Sequence, residues 1–335
     1  MNKITPAPTN KAVHELFLRS GSDNKADSAQ ALDMLAVALT EPLRQAVLHG
    51  ANLEPIFTPV PLAEGSAPEF SIDVLTPGQE DEHIAYTNPG NGRIPERHIE
   101  GDYVTIPTYG IASSVDWALK HARASRFDVM SRAMQILEAG FVRKLNTDGW
   151  HTVLSAGTDR NILVHDADAN AGQFTKRLVS LAQTVMQRNA GGNHSSLNPG
   201  RLTDIFMSLE GIQDIRNWGV DQVDDFTRRD IFLAPNGNIV SIYGVSIHGM
   251  YEFGVDQEYQ KYFTNQLSGT MGASDNEVAV ACDLSTNDSF MMPMTVPVSI
   301  FQDDALHRHQ RAGFYGWAEV GFGVLDNRRV LMLSF

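Results

Sequence analysis

Cysteine is nearly absent: Cys282 stands alone among 335 residues. One cysteine excludes an intrachain disulfide and a cysteine-built zinc cluster, and its simplest setting is a reducing compartment. Positive charge is also scarce. Lys and Arg number 26 against 40 Asp and Glu, a formal net charge of −14. A protein that grips nucleic acid over its whole surface needs surplus Lys and Arg to neutralise phosphates, so that class is disfavoured, although a local patch is not. No apolar run reaches the roughly 18 residues that a membrane-spanning helix needs. The opening stretch, MNKITPAPTNKAVHELFLRSGSDNKAD, lacks the apolar run of about 7–15 residues of a signal peptide. What is present is ordinary for a folded chain. Hydrophobic residues at 42% and charged residues at 20% are enough to build a sizeable core and exclude a wholly disordered protein.

Catalytic and metal motifs are missing as well. In 166-DADANAG-172, Asp166, Asp168 and Asn170 alternate as in a calcium loop. Ala171 and Arg177 stand where an EF-hand needs glycine and a bidentate carboxylate, so a turn or capping role is favoured. The stretch 244-GVSIHG-249 resembles a nucleophile elbow, but the residues before it read as plain strand. His307 and His309 would share one side of a strand, with no third ligand at an obvious spacing. The segment 14-HELFL-18 lacks the second histidine of a zincin. Cys282 lies in the apolar run AVACDL and reads as a small buried hydrophobe. The glycines of 88-NPGNGRIP-95 have no Walker lysine–serine ending and open no helix. No catalytic residue, cofactor or metal ligand is therefore assigned, and an enzyme dependent on dispersed carboxylates is a minority reading.

Along the chain the pattern is α+β. A short helical piece is expected around Val13–Leu18. Leu32, Leu35, Ala36 and Leu39 predict a helix, and Pro42 after Thr40 predicts the start of a second one. From 51 to 112 eight prolines exclude long helices. Short strands are expected at 70–75, 83–87 and 102–110. An open segment this long has few ways to make its own core, so its order must come from outside itself. Ser113 and Ser114 read as helix caps. The following stretch, 115–150, predicts a long helix, broken near Ala122–Arg126. Its apolar stripe is Phe127, Met130, Met134, Leu137, Phe141 and Leu145. Further helices are expected at 173–190, 201–210 and 211–218. Strands are expected at 230–235, with a turn at Asn236–Gly237, and then at 238–244, 245–254 and 277–284. In the closing stretch Ala318, Val320, Phe322 and Val324 alternate, while Gly321 and Gly323 imply close approach of another chain segment. Two antiparallel strands turned at 326-DN-327, packed under the long helix, are the expected ending. Val320, Phe322, Val324, Leu331 and Leu333 would form its apolar side.

That order of elements resembles the major capsid proteins of tailed bacteriophages, with the Hong Kong 97-type fold. The resemblance is most specific in 305-ALHRHQRAGFYGWAEVGFGVLDNRRVLMLSF-335, where a strand rich in aromatics and alanine is followed by VGFGVLDNRRVLML. Upstream, 197-LNPGRLTDIF-206 and 239-IVSIYGVSIHGM-250 are similar to central-domain segments of the family, with Ser246 where a proline is usual. The resemblance implies an N-terminal arm at 1–50 and leading strands and an extended loop at 51–112, the loop itself spanning about 65–112. It further implies a peripheral domain with the spine helix at 113–157 plus 301–335, and an axial domain at 158–300.

The implied function is a structural subunit of the virion, assembled in the bacterial host cytoplasm. Many copies would form hexamers and pentamers of an icosahedral shell around double-stranded DNA, touched non-specifically. Scaffolding, portal and cement or decoration proteins are possible partners, and no membrane is. Glu80, Asp81, Glu82, Arg93 and Arg97 are candidate intersubunit ion-pair residues near the loop tip. Some relatives crosslink through a lysine, but 51–119 contains none, so noncovalent contacts or a cementing protein would hold the shell. A nanocompartment shell (encapsulin) of the same fold is the alternative, disfavoured by the arm at 1–50. A tail or baseplate component would show more repetitive β-structure.

Overall fold

The stripe from Met130 to Leu145 builds one long helix. The structure, a computed structural model, describes residues 10–50, 53, 55–63, 65–72, 102–124, 126–189, 200–218, 239–267, 276–285 and 288–335. Two helices come first, α1 (Asn10–Ser20) and α2 (Lys25–Gly50). Strands β1 (Thr58–Pro61), β2 (Glu69–Ile72), β3 (Asp102–Thr105) and β4 (Tyr109–Ala118) follow. Next are α3 (Leu119–Arg123) and α4 (Phe127–Asp159). Then come β5 (Leu163–His165), α5 (Lys176–Asn189), β6 (Asp204–Ser208) and α6 (Leu209–Asn217). After β7 (Ile239–Ile242) and β8 (Val245–Met250) comes α7 (Glu258–Gln266). The chain ends through β9 (Val278–Cys282), β10 (Phe290–Gln302), β11 (Arg311–Val320), β12 (Gly323–Val324) and β13 (Val330–Ser334). Its residues group into two compact units. One gathers the segments up to Pro68, Thr105–Gly149 and Met292–Phe322; the other gathers Glu69–Val104, Trp150–Met291 and Gly323–Phe335.

In the first unit, strands run in the order β1–β10–β11–β4. All ten residues of β4 pair antiparallel with β11, from Tyr109↔Val320 to Ala118↔Arg311. This pairing overrides the helix expected from Ser113: both serines are strand residues, and helical structure begins only at Leu119. The expected break is present, since α3 ends at Arg123 and α4 starts at Phe127. With 33 residues, α4 is about 50 Å long. Met130, Met134, Leu137, Phe141 and Leu145 are buried, and Phe127 is half-buried. The stripe lies against the sheet at Gly316 of β11, where an added Cβ would come within 3.1 Å of the Phe141 ring. Strand β10 holds Pro293 and Pro297. Its register with β11 shifts between Met294 and Val296 and again between Val296 and Ser299, because a proline has no N–H to give the ladder.

Helices α1 and α2, joined by a turn at 21–24, belong to this unit. Phe17, Leu35 and Val47 are fully buried, and the Phe17 ring lies edge-on to Phe127 at 5.8 Å. The expected break at Pro42 does not occur. Helix α2 runs through it, and Thr40 donates its hydroxyl to the Ala36 carbonyl at 2.7 Å instead of capping a new helix. Burial of Leu35, Leu43 and Val47 on one side outweighs the single backbone bond that Pro42 forfeits.

The second unit is built on a six-stranded sheet of order β5–β13–β9–β6–β8–β7. Its core gathers Phe174, Leu178, Ile205, Ile212, Leu331 and Phe335. The helix expected at 201–210 is strand β6 from Asp204, parallel to β8 and antiparallel to β9. A short apolar run such as IFM fits either structure, and pairing on both sides decides it. Ser208 then caps α6, its Oγ accepting from the Gly211 N–H at 3.1 Å. Helix α5 lies within the expected 173–190, and α6 nearly coincides with the expected 211–218. The strand expected at 83–87, the strand at 230–235 and the Asn236–Gly237 turn lie outside the described residues.

The ending differs from expectation. Val320 closes β11 and Val324 pairs with Phe290, but β13 makes no hairpin with β11. It pairs parallel with β5 and antiparallel with β9. Leu331 and Leu333 therefore belong to the core of the second unit, and 301–335 does not form a single block with the long helix. Every residue of β13 is buried, which only an interior strand allows.

Candidate functional site

His248, Cys282 and the acids of 166–172 sit in structural contacts. His248 Nε2 lies 2.8 Å from Asp204 Oδ1, and its ring stacks on Phe206 at 4.8 Å. Burial pushes the Asp204 carboxyl up, but hydrogen bonds from His248 and Thr203 outweigh it and hold the carboxyl below its ordinary value. Cys282 is fully buried, and burial first, then Asp204 and Asp283, push its thiol far up, away from nucleophilic character. In 166–172, Asp166 accepts the Thr175 hydroxyl at 2.7 Å and the Asp168 N–H at 3.3 Å, and Arg177 pairs with Asp168. These are turn contacts. His307 and His309 lie in a 3-10 turn, Asp304–His309, and not on a strand, so the expected common side does not exist. No group of three or more His, Cys, Asp or Glu suited to a metal ion occurs among the described residues.

What the first unit does present is a surface. One face of its sheet meets α4; the other is open. Tyr109 ties β4 to the helix, its hydroxyl donating to Asp148 Oδ2 at 2.7 Å. Burial and that bond to a carboxylate both raise the phenol well above its ordinary value. On the open face, Phe301 of β10 is the register partner of Tyr315, and Trp317 follows two residues on. Phe301 and Tyr315 stack at 5.5 Å, and Trp317 lies 6.2 Å from Phe301. These rings are 38%, 42% and 42% exposed. Beside them β4 offers only Ala112 and Ser114 as partners, small residues that leave the rings uncovered. An Arg311–Asp116 ion pair at 2.9 Å marks one end of the face. Exposed aromatics grouped on one sheet face are the residue types that dominate protein–protein contacts.

The candidate ion-pair residues Glu80, Asp81, Glu82, Arg93 and Arg97 lie outside the described residues. Sheet and helix place the packing residues in two groups. Met130 to Leu145 serve the first unit, together with Val320 and Phe322, whose ring lies 5.2 Å from Phe57. Leu331 and Leu333 serve the second. The open aromatic face was not singled out in the sequence. Its signal was the alternation Tyr315, Trp317 inside GFYGWAEV, which marks one side of a strand without saying which side is bare.

No protein-family model matches the sequence, and neither does any curated protein. Solved structures match by fold. The head structure of Helicobacter pylori bacteriophage KHP40 superposes with a TM-score of 0.55 at 9% identity, over 85% of this chain and 90% of that one. A chain from the capsid of a native GTA particle gives 0.55 at 13% identity, over 85% and 90%. One from the capsid of cyanophage P-SCSP1u gives 0.51 at 12%, over 84% and 87%. The chain has the α+β fold of these capsid chains, as the order of its elements implied.

Proposed function

We propose that a chain with this fold is the major capsid protein of a tailed bacteriophage, a structural subunit and not an enzyme. The observation that carries the reading is the extent of the likeness: 85% of this chain and 90% of the KHP40 head chain superpose, leaving little of either for another activity. The first unit, apart from the arm at 1–50, takes the role of peripheral domain, and the second, apart from the loop segment 69–104, that of axial domain. The loop expected over 65–112 takes its role on a neighbouring copy only up to about residue 108, because Tyr109–Ala112 pair with β11 of the same chain, with Glu80, Asp81, Glu82, Arg93 and Arg97 as its candidate contacts. Copies associate as hexamers and pentamers of a closed shell around double-stranded DNA, within a virion assembled in the host cytoplasm. Scaffolding, portal and cement proteins complete that assembly. The resemblance in 305–335 supports the same reading.

Expression of the full chain, alone and with a scaffolding partner, tests it by sedimentation and negative-stain electron microscopy. Closed shells are the expected product. Monomers and small oligomers under every condition would overturn the proposal. Deletion of 70–108 is expected to leave a folded subunit that no longer closes shells; normal shells from that variant would remove the loop from its role.

A further inference from the structure

The first unit carries two helix faces that its own core does not use. On α2, Asp33, Met34, Val37, Ala38 and Glu41 are exposed, on the side away from the buried Leu32, Leu35 and Leu43. Val37 is 74% exposed and Met34 46%. On α4, Arg132, Gln135, Ile136, Ala139 and Arg143 are exposed, on the side away from the stripe that meets the sheet. Ile136 is 59% exposed. Each face has an apolar centre between charged ends. The ends are acidic on α2, Asp33 and Glu41, and basic on α4, Arg132 and Arg143. About one turn further out the sign changes on each: Arg44 follows Glu41, and Asp128 precedes Arg132. Glu41 meets Arg44 at 3.9 Å and accepts from Gln45 at 3.2 Å, surface contacts that hold it weakly. Among the described residues, no ion pair within one chain joins Glu41 to Arg132 or Asp33 to Arg143.

The order of these residues selects a partner. Two α2 faces laid antiparallel about Val37 would set Asp33 against Glu41, and two α4 faces centred between Ile136 and Ala139 would set Arg132 against Arg143. Like charges oppose both arrangements. One α2 face and one α4 face laid antiparallel agree at every position. With Val37 opposite Ile136, Met34 lies opposite Ala139, where a small residue leaves it room, and Glu41 lies opposite Arg132. Arg44 then comes within one residue of Asp128. Asp33 lies about 4.5 Å of helix rise from the level of Arg143, a distance that an arginine side chain spans. A parallel arrangement would instead set Arg44 against Arg143. We infer that the outer face of α2 in one copy of this chain packs antiparallel on the outer face of α4 in the next copy, with Glu41–Arg132 as its central ion pair. Two different faces of one subunit make a head-to-tail contact, which repeats from copy to copy and closes into a ring. The inference rests on the shell reading for that repeat of copies, and it names the surfaces that build the ring.

Charge reversal in the full chain tests it. The variants are Glu41→Arg, Arg132→Glu and the two together, with Arg188→Glu as a control for net charge at an exposed position of α5. Self-association is read by sedimentation over a range of protein concentrations, and folding by Tm. Each single reversal is expected to weaken association about tenfold with Tm close to that of the wild type, because it sets like charges together between copies. The double reversal should restore association, and the control should leave it unchanged. Single reversals that associate as tightly as the wild type would overturn the inference, and closed shells from them would leave the shell reading standing. Loss from Glu41→Arg that the double variant does not recover would also overturn it, since the α2 face would then serve another molecule. Rings that follow the expected pattern but never close into shells would support this contact and count against the shell reading.

Discussion

Phe335 meets Phe174 edge to face, with ring centroids 5.1 Å apart and planes at 82°. The pair joins β13 and the residues following it to the start of α5 in the core of the second unit. Phe335 also accepts and donates backbone hydrogen bonds with Glu277, at 2.7 and 3.1 Å. Phe335→Ala would leave the backbone bonds and open a cavity at a residue only 2% exposed. A loss of about 3–5 kcal/mol is expected by urea denaturation of the subunit. A loss within experimental error would mean that this ring does not fill the core.

Gly321 tests the close approach expected of GFG. An added Cβ would lie 2.6 Å from the Pro107 carbonyl oxygen and 3.2 Å from Pro293 Cγ. The first of these is backbone and cannot rotate away. Gly321→Ala is expected to cost about 1–3 kcal/mol in the same measurement. A neutral effect would show that the segment around Pro107 yields.

Glu277 sets a pH dependence. It is buried in the second unit, and the Ser208 hydroxyl donates to it. Burial raises its carboxyl above the ordinary value of 4.5; the Ser208 bond lowers it, and Glu210 and Asp214 raise it further. The fold therefore favours the protonated form. That contribution to stability is complete below the unfolded value and is lost as pH rises through the raised folded value. Glu277→Gln, neutral throughout, is expected to be more stable than the wild type at neutral pH. The advantage should shrink as pH falls from the raised folded value towards about 4.5, and be gone below it, where both side chains are uncharged. Denaturation curves for both proteins across that range check it; a pH-independent difference would contradict it.

The open face of the first unit gives a test of assembly apart from folding. The double variant Tyr315→Ser and Trp317→Ser removes two rings that the subunit leaves 42% exposed. A second copy of this chain is the partner expected there. The variant should fold with a Tm close to that of the wild type, yet form fewer closed shells by sedimentation and electron microscopy. Full shell yield would show that the face stays bare.

The one-dimensional pattern was sufficient for several elements. The stripe from Met130 to Leu145 repeats at helical spacing, and no pairing partner competes for it, so local periodicity and burial agree. The break before Phe127 and the amphipathic α5 were legible for the same reason. Their order along the chain was enough to suggest the fold.

Tertiary structure decided the rest, because the forces involved are non-local. Ser113 and Ser114 have the chemistry of helix caps, but ten residues of ladder with β11 hold them extended. Pro42 should interrupt a helix, but burial on the first unit carries α2 through it. The strand from Val330 to Ser334 is apolar on both faces, so its sequence announces an interior place without naming its neighbours. Only the fold chooses β5 and β9 for it. Sequence thus determined which segments could be helix, strand or core. Contacts between residues far apart in the chain determined which strand lies beside which.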